Sequence, residues 1–183
     1  LAVTAALADG PVRIAQDRYE QFQGGLKQLA SRISQRIAVD AKTGRFLAFS
    51  SQQVLPAGGQ NNYSQFVAML AGYCGLSGYD IRQAYVDAIA QPSTGVVAGS
   101  MRGFGGPQAS WAVETLVDEV AVALKRESIA LREINALREG DRTITGAPLT
   151  QAMTLREICR RAREHPLWRE REAATKASAD FAE

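Results

Sequence analysis

The sequence predicts an α+β fold, and two patterns carry that reading. Ile33, Gln35, Ile37 and Val39 alternate with Ser34, Arg36 and Ala38. A turn at Asp40–Gly44 then leads into Arg45–Phe49, which is the period-two signature of a β-hairpin with Gly44 at its left-handed position. Much further along, Val113, Leu116, Val117, Val120 and Leu124 form one apolar stripe at helical spacing, with Glu114, Asp118 and Glu119 elsewhere on the wheel. Strand patterns gather early and helical ones late, so a layer of mixed strands, the hairpin included, is expected to carry packed helices. The expected division is a region of helix, strand and hairpin over 1–59 and a region of strand, glycine-rich loop and helices over 60–183, both parts of one domain.

The elements follow in order. Leu1–Ala8 is an apolar helical stretch running straight into Gly10-Pro11, which implies that something precedes it. Pro11–Ala15 is a short strand candidate. Asp17 is placed to cap a brief helix through Phe22, stopped by Gly24-Gly25. After the hairpin, a loop rich in Pro, Gly and Asn (Pro56–Asn62) leads into Tyr63–Tyr73, where Phe66, Leu70 and Tyr73 recur at helical spacing. Two further strands are expected, Ala84–Ala90 and Gly95–Gly99. Beyond the long helix, Ile129–Leu137 and Leu155–Glu164 read as helices, separated by a loop containing Gly140, Gly146 and Pro148. Arg156, Arg160, Arg161 and Arg163 alternate with Glu157, Glu164, Glu170 and Glu172, the pattern of a solvated face rather than a basic recognition helix.

Composition excludes several functions. A hydrophobic content of 46% over 183 residues is enough for a packed core, so the chain is not disordered. Lys and Arg number 21 against 19 Asp and Glu, a net charge of +2 that lacks the concentrated positive surface phosphate backbones require. Nucleic acid is therefore not an expected partner. Cys74 and Cys159 stand far apart without ligand spacing, so they form no iron–sulfur or zinc site. His165 has no second histidine or nucleophile beside it and is assigned no chemistry. No run approaches the roughly 20 apolar residues of a membrane span, so no membrane is expected; cytoplasm is the default compartment, with periplasm left open.

The most informative segment is Ser100–Gln108. A strand, a glycine-rich turn and a helix start follow one another. Glycine lets backbone N–H groups approach an oxyanion, and Pro107 suits the first turn of a helix, where its missing N–H costs nothing. On these residues alone the segment is either a tight connection or an anion site. An anion-binding module or an interaction domain thus stands beside any enzymatic reading.

The run Arg102-Gly103-Phe104-Gly105-Gly106-Pro107-Gln108, followed by an acidic-flecked helix, resembles the signature of the large subunit of xanthine dehydrogenase/aldehyde oxidase-type molybdenum hydroxylases. The order of other blocks agrees. Pro11-Val12-Arg13, Arg18-Tyr19-Glu20, Gly25-Leu26-Lys27 and Asp40…Gly44-Arg45 precede the loop. Leu131-Arg132…Asn135, Gly140-Asp141 and Thr145-Gly146 follow it. The resemblance implies an internal piece of a molybdopterin-binding domain. It also implies a parent that oxidises an aldehyde or an N-heterocycle with water as oxygen source, through a molybdenum ion held by a pterin. Iron–sulfur clusters and FAD would sit in other domains or subunits. It places Arg102, Gly103, Gly105 and Gly106 at the cofactor and Phe104 against the substrate ring. The family's other cofactor loop and its catalytic glutamate have no counterpart here, so no catalytic residue is assigned and the piece alone is expected to be inactive. Ser64–Tyr73 contains no arginine where purine-oxidising members carry one, which points away from xanthine.

Overall fold

A computed structural model describes residues 2–8, 10–76 and 78–171; Leu1 and Glu172, both used above, lie outside them. The elements are α1 (Ala2–Leu7), α2 (Arg18–Gly24), β1 (Lys27–Gln28), β2 (Arg32–Val39), β3 (Phe46–Pro56), α3 (Ser64–Cys74), β4 (Gln83–Gln91), β5 (Ala98–Gly99), α4 (Gly106–Ala123), α5 (Ser128–Asn135), α6 (Leu155–Glu164) and α7 (Pro166–Arg169). Strands and helices share the chain as the α+β reading requires.

The main sheet has the order β2-β3-β4. β2 and β3 form the expected antiparallel hairpin. Asp40 organises its turn: its Oδ1 accepts the N–H groups of Lys42 and Thr43 at 2.9 and 2.8 Å, and Gly44 adopts φ +79°. β4 lies parallel to β3, with Ala48 opposite Gln83 and Pro56 opposite Gln91. A parallel return needs a crossover, and α3 supplies it. The boundary expected near residue 59 falls in the loop after β3, and β4 comes back across it to complete the sheet.

One face of the sheet carries helices. α3 packs on β3 and β4, α4 packs on β2, and α3 and α4 touch one another. Burial follows the pleat: Arg32, Ser34 and Arg36 are exposed while Ile33, Gln35 and Ile37 turn inward. The core has two clusters. One gathers Phe46, Phe49, Leu76, Tyr79, Val113, Val117, Ala121 and Leu131 at the hairpin end. The other gathers Leu29, Leu55, Ala57, Val67, Ala68, Ala71, Ala98 and Ala109 at the end where β5 meets α4.

Three expectations are corrected. Pro11–Ala15 is not a strand: it is irregular, with Ile14 60% exposed, because a strand needs a partner and no sheet edge runs beside it. The strand expected over Gly95–Gly99 is reduced to Ala98–Gly99, paired in parallel with β1. α5 stops at Asn135 rather than Leu137, since Ala136 turns extended to bridge Tyr79 and the Leu137 N–H donates to the Gly78 carbonyl at 3.0 Å. The Asp17 cap is present as a reciprocal box with Glu20. α7 was not expected; Pro166 opens it, and His165 Nδ1 accepts the Leu167 N–H at 3.3 Å.

Candidate functional site

β5 feeds directly into the glycine loop, and the loop into α4. Four consecutive residues have left-handed backbones: Arg102 (φ +32°), Gly103 (+87°), Phe104 (+53°) and Gly105 (+89°). Two of them carry side chains that avoid this region unless their surroundings hold them there. Gly105 caps the 18-residue α4, and Pro107 lies in its first turn. Among the described residues, the backbone N–H groups of Arg102, Gly103, Phe104 and Gly105 find no acceptor. Their arc therefore presents free donors at the positive end of a long helix dipole.

The structure separates what the glycines do. A Cβ on Gly103 would lie 2.6–2.7 Å from the Pro107 ring, and one on Gly105 would run into the Val67 carbonyl of α3. Gly106 has more room, with Cys74 Sγ 3.4 Å from the same imagined position. Gly105 and Gly106 thus turn their bare side towards α3, so packing beneath the loop explains the first of them fully. Arg102 is exposed, and among the described residues its guanidinium makes no ion pair. Phe104 is half-buried against the cluster around Leu29, Val67 and Ala98, which leaves part of its ring free.

Two glutamines brace the loop. Gln28 Nε2 donates to the Arg102 carbonyl at 2.6 Å, and Gln108 Nε2 donates to the Leu29 carbonyl at 3.0 Å while its Oε1 is buried without a partner. Gln108 stood in the quoted motif without a role. Gln28 sits on a two-residue strand, too short for any periodicity to reveal. Beside the loop, Gln16, Arg18, Phe22, Lys27 and Met101 help to line a cavity of about 310 Å³. Lys27 is engaged there, its Nζ donating to the carbonyls of Gln21 and Gly25 at 2.6 and 2.7 Å. A second cavity of about 560 Å³ lies between α3 and β4, lined by Met69, Tyr73, Val86 and Ile89 among others and by no ionisable group except the Tyr73 phenol. Among the described residues no group of three or more His, Cys, Asp or Glu converges as metal ligands would. The donor set at residues 102–105 is one of backbone dipoles, suited to an anionic, oxygen-rich ligand rather than to a bare cation.

The block Leu131–Asn135 downstream of the loop packs the fold together. Leu131 is fully buried, and Arg132 pairs with Glu114 and Asp118 on α4 at 2.7 Å each. Asn135 is also fully buried: its Oδ1 accepts the Phe46 N–H at 2.8 Å, and its Nδ2 donates to the carbonyls of Gly44 and Leu131 at 2.9 Å. Glu114 also accepts the Tyr79 hydroxyl at 2.8 Å. Burial and that carboxylate push the Tyr79 phenol well above its ordinary range. Cys159 is buried, and burial likewise raises its thiol, which suits packing rather than nucleophilic chemistry.

The chain is similar to several known proteins. The putative xanthine dehydrogenase molybdenum-binding subunit of Escherichia coli is 30% identical over 180 residues, a span of 93% of this chain and 23% of that subunit. Aldehyde oxidoreductase of Megalodesulfovibrio gigas is 28% identical over 147 residues, 80% of this chain and 16% of that protein. The chain therefore spans a quarter or less of the length of these curated relatives. Among solved structures, quinoline 2-oxidoreductase from Pseudomonas putida superposes with a TM-score of 0.78 at 25% identity, covering 97% of this chain and 23% of the other. Aldehyde oxidoreductase from Desulfovibrio desulfuricans gives 0.73 at 28% identity, covering 88% and 18%. Residues 1–136 match the family described as the molybdopterin cofactor-binding domain. That stretch takes in the hairpin, the crossover and the glycine loop with the helix it starts, and on it the chain belongs to the molybdopterin cofactor-binding domain family.

Proposed function

We propose that this chain is part of the molybdenum-binding subunit of a hydroxylase that oxidises an aldehyde or an N-heterocycle with water as the oxygen source. The observation that carries the reading is the arc of free N–H groups at residues 102–105, set on the first turn of α4 in a chain of this family. Relatives named aldehyde oxidoreductase, nicotinate dehydrogenase and quinoline 2-oxidoreductase support the substrate class.

In this reading the backbone of Arg102, Gly103 and Gly105 holds the cofactor's anionic oxygens, and the exposed Arg102 guanidinium adds a positive charge to the same side. Gly106 continues the close approach into α4. The free part of the Phe104 ring offers an apolar face against a flat substrate and keeps water from it. When bound, the molybdenum cofactor supplies the activated oxygen and takes up the electron pair. No general base is assigned among the described residues, and in this reading the proton is handled by residues elsewhere in the parent. Electrons would leave through iron–sulfur and flavin domains or subunits, in the cytoplasm. Among the described residues no helix is long and apolar enough to cross a membrane.

The test is the molybdenum and pterin content of the parent protein, with aldehyde and N-heterocycle oxidation assays, for the wild type, Arg102→Ala and Phe104→Ala. Retained metal with activity reduced about tenfold or more in Phe104→Ala is expected, the weight of about 1.4 kcal/mol in the transition state. A wild-type parent without molybdenum overturns the reading. The same N–H arc would then favour a phosphate-binding module, whose affinity for inorganic phosphate should collapse in Gly105→Asp.

A further inference from the structure

We propose that Gln28 is the positioning residue of the 102–105 loop: its side-chain amide fixes the left-handed carbonyl of Arg102 and, through it, the direction of the loop's N–H groups. This rests on the cofactor role proposed above for that loop. The loop holds two non-glycine residues at positive φ, a conformation that relaxes unless something outside the loop defines it. Three contacts from one short segment do so. β1 pairs with β5 in parallel, Lys27 opposite Ala98 and Gln28 opposite Gly99, which sets where the chain enters the loop. The Gln28 Nε2 then reaches forward to the Arg102 carbonyl at 2.6 Å, with the Met101 carbonyl at 3.5 Å. Gln108 ties the far side back to Leu29, one residue on. Among the described residues, no other side chain donates to a carbonyl of residues 101–105.

The role depends on donation rather than on size. A carboxylate of the same shape meets the Arg102 carbonyl as acceptor against acceptor, and an apolar side chain hands that exposed carbonyl to water, which does not fix its direction. Gln28→Glu and Gln28→Leu should therefore behave alike, although one conserves volume and polarity and the other does not.

The experiment is made on the intact parent protein. Hydrogen–deuterium exchange is followed in the peptide spanning residues 100–107, alongside the thermal midpoint, molybdenum content, and kcat and KM with an aldehyde substrate. Both variants should show the Ser100 and Gly106 amides, which donate to the Asn62 and Gly103 carbonyls, exchanging about fivefold faster, the weight of one ordinary hydrogen bond, at an unchanged thermal midpoint. They should also show a lower kcat with KM preserved. Exchange and kcat equal to wild type in both variants overturn the proposal, as does an effect confined to Gln28→Leu, which would mark lost packing. A wild-type parent lacking molybdenum sinks the cofactor role instead, and the exchange rates still decide whether Gln28 holds the loop.

Discussion

Asn135 is a buried side chain on which three segments converge. It joins the hairpin turn at Gly44, the first residue of β3 at Phe46 and the body of α5 at Leu131, all inside the core. Asn135→Ala should cost about 2–4 kcal/mol, because three buried backbone groups lose partners at once; the shift in urea midpoint measures it, and a loss below the size of a single bond would refute the assignment. Gly105 and Gly106 make a sharper pair. Gly105→Ala places a Cβ against the Val67 carbonyl at φ +89° and should cost about 2 kcal/mol or more. Gly106→Ala meets only ordinary contact with Cys74 on the α3 side of the loop, and should leave both stability and molybdopterin content close to wild type. Thermal midpoint and pterin content, read together, separate the two.

At the scale of elements, α5 is held to α4 by charge as well as by packing. Arg132→Met keeps the apolar stem but deletes both carboxylate bonds, and should cost about 1–3 kcal/mol. Glu114 keeps the Tyr79 hydroxyl as a partner, so the loss should stay within that range. α6 depends on pH in a different way. The side-chain hydrogen bond from Arg160 and then that from Arg161 hold the exposed Glu157 carboxyl down to about 2, against an ordinary value of 4.5. A depressed carboxylate stabilises the folded state fully above its unfolded value and loses that contribution as pH falls through the folded one. Acid should therefore leave α6 intact near pH 4 and fray its first turn towards pH 2. Carboxyl chemical shifts of Glu157 titrating near the ordinary value would show that the arginines are not engaged.

At the scale of the whole molecule, the described site presents donors from one side only, and the chain spans 23% of its relative in Escherichia coli. A cofactor held by one loop loses most of its contacts to solvent. Expressed alone, this 183-residue chain is expected to fold around its two clusters yet carry less than about a tenth of the molybdenum of the parent, measured by metal analysis. Stoichiometric pterin in the isolated chain would overturn that expectation.

What the sequence determined is local or ordered along the chain. The Asp40–Gly44 turn, the α4 stripe, the Asp17 cap and α6 are written in spacings of two to four residues, which backbone geometry alone interprets. The order of short blocks around Arg102–Gln108 pointed to the family, because glycines at left-handed positions and a proline in a first turn are demanded by the backbone itself. Tertiary structure decided the rest. β3 runs on through Ser50, Ser51, Gln52 and Gln53, polar residues that break the hydrophobic alternation; Ser51 and Gln53 are nonetheless buried, joined by a 3.2 Å hydrogen bond. The parallel return of β4 and the two-residue pairing of β1 with β5 leave no mark in local pattern, because each depends on a partner distant in sequence. The bracing of the glycine loop by Gln28 belongs to the same class: a carbonyl 74 residues away acquires its donor only when the sheet and α4 have closed around it.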